Sequence, residues 1–122
     1  MIEEALVTTL RACWPGIVVY PVQVPENQTP PFICFREIDI DDDDSVGIEI
    51  DACAASGLEP EHYRQSKQLA EAIRLALRDG FTYTGGCVTR VDANKRQDLV
   101  DRVDPMYWTR AQYTLKLDND PY

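Results

Sequence analysis

The chain has 122 residues, of which 44% are hydrophobic and 27% charged. This composition is typical of one globular domain over residues 1–122 and excludes a disordered tail. Its 21 acidic and 12 basic residues give a formal net charge of −9. That charge argues against nucleic acid as the main partner, since neutralising phosphates requires clustered Lys and Arg. The N-terminus lacks a signal-peptide pattern and no apolar run reaches membrane-span length, so we expect a cytoplasmic protein without a membrane partner.

The first elements are a helix and a short strand. Over residues 2–13, the apolar residues Ile2, Leu6 and Leu10 fall on one stripe, which predicts an amphipathic helix that ends at Pro15 and Gly16. Residues 17–24 are apolar and β-branched and therefore favour a strand. Because Pro21 has no amide hydrogen, we expect this strand at a sheet edge.

A hairpin is predicted over the next thirty residues. The strand from residue 32 to 40 alternates imperfectly, which we interpret as a bulge near Arg36 and Glu37. An Asp-rich tip follows. Residues 46–54 then alternate apolar and polar, which predicts a strand with one dry and one wet face.

The strongest element is a long helix over residues 60–78, whose apolar residues follow helical spacing and which Gly80 terminates. After it we predict a strand over 87–94, a charged loop over 95–105 and a final strand over 107–117. The order α-β-β-β-α-β-β indicates an α+β fold. Its mostly antiparallel or mixed sheet would have four to five strands, with two helices packed on it.

No catalytic, cofactor or metal site is predicted, and we do not expect an enzyme. Five aspartates lie between residues 39 and 44, without the spacing of a calcium loop. We interpret them as a solvated tip or a surface for a partner, with loose cation binding and acid–base catalysis as the alternatives. His62 is the only histidine and is expected to be exposed. The cysteines lack metal-site spacing and are expected to be reduced and mostly buried: Cys13, Cys34, Cys53 and Cys87.

Charge is distributed unevenly along the chain, with basic residues concentrated in the last third and the Asp cluster in the first half. This asymmetry suits a head-to-tail contact between subunits. The alternative interpretation is that these charges are scattered over the surface and solvated. Trp108 would either pack within the domain or anchor an interface. The predicted interface residues are Asp41, Asp42, Asp43, Asp44, Arg96, Arg102, Trp108 and Arg110.

Several segments together resemble the tail terminator, or tail completion, proteins of long-tailed bacteriophages, which include head–tail joining components. The segments are the opening MIEEALVTTL, the stretch VVYPVQVPENQTPPFICFREI, the strand and long helix in GIEIDACAASGLEPEHYRQSKQLAEAIRLALRD, and the final strand YWTRAQYTLKL. The Asp-rich tip is not part of the family pattern.

The resemblance implies a homo-oligomeric ring, usually a hexamer, within the neck of a virion assembled in a bacterial host. Such a ring caps the tail-tube protein, ends tail growth and meets the head connector or stopper protein. We further hypothesise that an acidic lumen lets genomic DNA pass without binding. The alternatives are another neck protein, such as a stopper or minor tail protein, a soluble acidic adaptor or inhibitor, and a small hydrolase that uses the Asp cluster.

Overall fold

The computed structural model describes residues 2–26, 28–38 and 44–118. Within these ranges two helices and one six-stranded sheet form the α+β fold that the sequence predicts. The elements in chain order are α1 (Ile2–Arg11), β1 (Val18–Pro21), β2 (Phe32–Ile38), β3 (Ser45–Cys53), α2 (Pro60–Leu77), β4 (Phe81–Tyr83), β5 (Gly86–Asp101) and β6 (Met106–Asp118).

The strands are ordered β1-β2-β3-β6-β5-β4 across the sheet. The edge strand β1 runs parallel to β2, as its proline allows, and the other neighbouring pairs are antiparallel. The sheet therefore has one strand more than the predicted maximum of five. The missed strand, β4, spans three residues, which is too short for any alternation to show.

The predicted loop over residues 95–105 is wrong in its larger part. Strand β5 continues to Asp101 and pairs with β6 down to Met106, so the two strands form a long hairpin with a short turn. In that turn Asp101 Oδ1 accepts hydrogen bonds from the backbone N–H groups of Val103 and Asp104. The prediction failed because this stretch is charged, and charged side chains are also what an exposed strand carries.

The predicted bulge in β2 is also absent. Its pairing with β3 is continuous from Phe32 opposite Cys53 to Ile38 opposite Gly47. The imperfect alternation has a different cause, because the four residues from Phe32 to Phe35 are all buried and both faces of the strand are covered there. A strand that is buried on both faces reads as a continuous apolar run.

Both helices pack on one face of the sheet. Helix α2 lies against β3 and β6, and α1 contacts β1, β4 and α2. Helix α2 begins at Pro60, which suits a first helical turn, and ends before Gly80. A side chain at Gly80 would lie 2.0 Å from the carbonyl oxygen of Val88, and its φ is +75°, so only glycine fits.

The core on this face contains the predicted helical stripe and the inward residues of the strands. It includes Leu6, Leu10, Ile33, Phe35, Ile48, Ile50, Leu69, Ile73, Leu77, Tyr113 and Leu115. Among the described residues no helix combines the length and the apolar character needed to cross a membrane.

Candidate functional site: the helix-free face

The reverse face is the side of the sheet opposite the two helices, and charged residues cluster at its centre. Strand pairing places Arg36 opposite Glu49, Asp51 opposite Arg110, and Glu49 opposite Gln112. Directly opposed residues of antiparallel strands point to the same face and lie close enough for their side chains to interact. The five residues form one cluster across β2, β3 and β6, which we call the reverse-face network.

Hydrogen bonds join the whole network. Arg110 donates from Nε to Asp51 Oδ1 at 2.8 Å and from a terminal nitrogen to Oδ2 at 3.1 Å, which is a bidentate pair. Arg36 donates to Asp51 Oδ2 at 3.3 Å and also to Glu49. Gln112 donates to Glu49 Oε2 at 2.9 Å. Both carboxylates are thus paired with arginine.

The two acids are buried although the described helices lie on the other side of the sheet. Glu49 and Asp51 are each only 8% exposed, whereas the side chains of Arg36 and Arg110 are about one-third exposed. The guanidinium groups that hydrogen-bond the acids take the place of water around them. The hydrogen bond to Asp51 raises the pKa of Arg110. The prediction that β3 has one wet face is therefore wrong, because the polar residues Glu49 and Asp51 are buried where they pair with arginine.

An aromatic pair borders the network. The ring of Trp108 on β6 lies 5.1 Å from that of Phe32, with a tilt of 58° between the planes. Both rings line a wide concavity of about 770 Å³, together with prolines and acidic residues of the neighbouring loops. Trp108 is partly exposed, so part of the residue remains accessible to a partner.

The neighbouring Tyr107 has a role within the domain. Its hydroxyl donates to the carbonyl oxygen of Leu58 at 2.9 Å, and its ring meets that of Tyr63 edge-on at 5.3 Å. These contacts fix the β5–β6 hairpin to the start of α2. His62, predicted to be exposed, is instead largely covered: its side chain is 19% exposed and its Nδ1 lies 2.8 Å from Glu59 Oε2.

Those predicted interface residues that the structure describes do not form one patch. Arg110 belongs to the reverse-face network, whereas Arg96 is paired with the inward-facing Ala111 and so lies on the helix side. Arg102 lies in the β5–β6 turn, past the last strand pair of Asp101 and Met106.

Of the predicted acidic residues, the structure describes Asp44, which lies at the other end of β6. The backbone oxygen of Asp44 accepts a hydrogen bond from Leu117 N at 2.8 Å. At about 3.3 Å per residue, the eleven steps from Met106 to Leu117 separate Asp44 from Arg102 by roughly 36 Å. Asp41, Asp42 and Asp43 lie outside the described residues.

Four members of the network were missed from the sequence: Arg36, Glu49, Asp51 and Gln112. The alternation of β3 placed Glu49 and Asp51 on one face, which was a usable signal. Their partners come from strands 13 to 63 residues away in the chain, so only the strand register shows that arginines cover them.

The described residues contain no group of three or more His, Cys, Asp or Glu placed to hold a metal ion. The four cysteines are free thiols, of which Cys34 and Cys53 are buried and Cys13 and Cys87 are partly exposed. Burial raises the pKa of Cys53 to about 12 and also raises the pKa of Cys13 and Cys34. What the reverse face offers is a preformed, hydrogen-bonded surface with an aromatic border.

Comparison with models of known protein families finds no match. A search of curated proteins likewise finds no match for the chain.

Proposed function

We propose that this protein is a structural component of a bacteriophage tail that forms a ring at the end of the tail tube. The ring, which we expect to be a hexamer, would end tube growth and join the tail to the head connector. The resemblance of the chain to tail terminator proteins suggests this role. The observation that carries it is the reverse face, where ordered side chains form a surface that the described helices leave uncovered.

The chemistry of the reverse face suits contact with another protein. Its central charges are already paired within the chain, so a partner that covers them leaves no new unpaired charge, which is the costly outcome. Trp108 adds a large aromatic ring at the border, and tryptophan is enriched among the residues that contribute most to binding. This face would meet the tail-tube protein or a neighbouring subunit.

The two ends of β6 would form the contact around the ring. Asp44 lies at one end, and Arg102 lies at the other. A contact between unlike ends, repeated around an axis, closes a ring.

The net charge of −9 leads to a proposal for the bore. Acidic and basic side chains alternate on the reverse face, so most of the excess negative charge lies elsewhere on the subunit. If the surface that carries this excess charge lines the central bore of the ring, it repels the phosphates of the genome and lets DNA pass. A structure of the ring with a neutral or basic bore would contradict this part of the proposal.

The direct test is electron microscopy of tails assembled after deletion of the gene for this protein in its parent phage. We expect overlong tails of variable length, because nothing stops tube growth, and normal tails when the protein is supplied in trans. Tails of normal length that fail to join heads would instead identify a stopper or connector. Infectious virions of normal morphology would contradict a role in the tail altogether.

A further inference from the structure

The open edge is the side of β5 that faces away from β6 between Thr89 and Asp101. Strand β4 covers β5 only from Gly86 to Val88, and beyond that point none of the described strands pairs with this side. Helix α2 packs over β3 and β6, and the side chains from Ala93 to Asp98 are exposed. An edge of this length presents backbone groups that another strand can bind.

Bulges limit where a straight partner strand can lie. The pairing of β5 with β6 shifts between Val88 and Arg90 and again between Ala93 and Lys95, and it is regular from Lys95 to Asp101. A bulge bends a strand and disturbs its ladder. The regular stretch is therefore the part of the open edge that can accept a partner in continuous register.

The charge order in this stretch is self-complementary about Gln97. Arg96 precedes it and Asp98 follows it, and both lie on the helix side because they pair with Ala111 and Thr109. Two copies related by a twofold axis through Gln97 would run antiparallel. Arg96 of each copy would then lie opposite Asp98 of the other, on the same face.

The sequence on either side of the regular stretch has the same symmetry. The triplet Arg-Val-Asp occurs at residues 90–92 and again at 102–104, the two copies being equally distant from Gln97. Both triplets lie outside the regular stretch, the first beyond the bulge between Ala93 and Lys95 and the second in the β5–β6 turn. The register of the pairing therefore rests on Arg96 and Asp98.

We infer that the open edge of β5 binds a second copy of this chain by antiparallel strand pairing about Gln97, which joins two six-stranded sheets into one. The Arg96–Asp98 pairs across the axis set the register, and the pairing covers backbone groups that are otherwise exposed. This contact is twofold and thus differs from the head-to-tail contact of a ring. It goes beyond the proposed function and does not rest on it.

A charge-reversal series measured by sedimentation velocity over a range of concentrations tests the inference. We expect the wild-type chain to form a dimer. Arg96→Asp places like charges opposite each other at two positions of the dimer, and Asp98→Arg does the same with arginines. Each single change should weaken the dimer by about tenfold or more. The double variant R96D/D98R regains complementarity and should regain the dimer.

Arg64→Asp is the matched control, since it makes the same charge change at an exposed site of α2 and should leave the dimer intact. Because Asp98 also pairs with Lys67 at 2.5 Å, thermal unfolding of each variant checks that the fold persists. Hydrogen exchange on the wild-type chain provides a test without mutation. Amides in residues 95–101 should exchange more slowly at high than at low protein concentration.

Several results would overturn the inference. One is a wild-type chain that stays monomeric up to its solubility limit. Others are a dimer that either single reversal leaves unchanged, a folded double variant that fails to regain the dimer, and exchange in residues 95–101 that is independent of concentration. A chain that forms the hexameric ring on tail tubes but shows no dimer that Arg96→Asp weakens would leave the proposed function standing while the inference on β5 fails.

Discussion

The two faces of the central strand β3 are both buried, yet by different means. On the helix side Ile48 and Ile50 are covered by apolar side chains of the core. On the reverse side Glu49 and Asp51 are covered by the arginines that pair with them. The first face is stabilised by the hydrophobic effect, which has no directional requirement, and the second by hydrogen bonds, which do. Polar alternation in a strand therefore does not by itself identify a solvent-exposed face.

The largest expected effect lies on the helix side. Leu69 on α2 is fully buried in the core, so Leu69→Ala should lower the free energy of unfolding by about 3 kcal/mol through lost burial and the cavity that remains. Urea denaturation followed by circular dichroism measures the change. Leu75→Ala on the same helix is the control, because Leu75 is 44% exposed and its loss should cost less than about 1 kcal/mol. Equal losses for the two variants would contradict the position of α2.

The reverse face should respond less strongly, and in a coupled way. Asp51→Ala removes the carboxylate that both Arg36 and Arg110 hydrogen-bond and should cost about 2 kcal/mol, since both guanidinium groups keep Glu49 within ion-pair distance and can still reach water. In a double-mutant cycle with Arg110→Ala, we expect a coupling energy of about 1 kcal/mol, measured by the same denaturation.

The control for this cycle is the exposed pair of Arg90 and Asp92, 3.0 Å apart, for which the coupling should be below about 0.5 kcal/mol. Additive losses for Asp51 and Arg110 would show that the reverse-face network does not act as a unit.

The smallest effect concerns the thiols. Because burial raises the pKa of Cys53 to about 12, this thiol keeps its proton in the folded chain at a pH where the unfolded chain has lost it. The contribution to stability is complete below the usual thiol pKa and is lost as the pH rises through the folded value. The free energy of unfolding should therefore fall between about pH 9 and pH 12. In Cys53→Ala, which lacks this thiol, the fall over the same pH range should be smaller than in the wild-type chain.

Alkylation with iodoacetamide gives a second measure of the same burial. Mass spectrometry of the folded chain should find Cys87, which is partly exposed, modified well before Cys53. Modification of Cys53 at the rate of Cys87 would show that the reverse side of β3 opens readily to solvent.

Much of the helix-side architecture could be predicted from local pattern. The stripe of α2 and the alternation of Tyr113 and Leu115 on β6 are periodic signals set by neighbours in the chain, and the structure agrees with them. The extent of β5 could not be predicted, because its charged residues favour a loop by composition and are held in a strand only by pairing with β6. The reverse-face network could not be predicted for the same reason, because its acids and arginines lie on strands that are distant in the chain and meet only through the strand register.

The most direct test of the proposed assembly role is the fluorescence of Trp108 when the protein meets tail tubes. In a Trp14→Phe background, Trp108 is the only tryptophan of the chain, and tubes made from a tube protein without tryptophan add no competing signal. We predict a shift of its emission to shorter wavelength as the protein binds the tube end, because the exposed side of the ring becomes covered. Binding that leaves the emission unchanged would contradict the claim that the reverse face is the assembly surface.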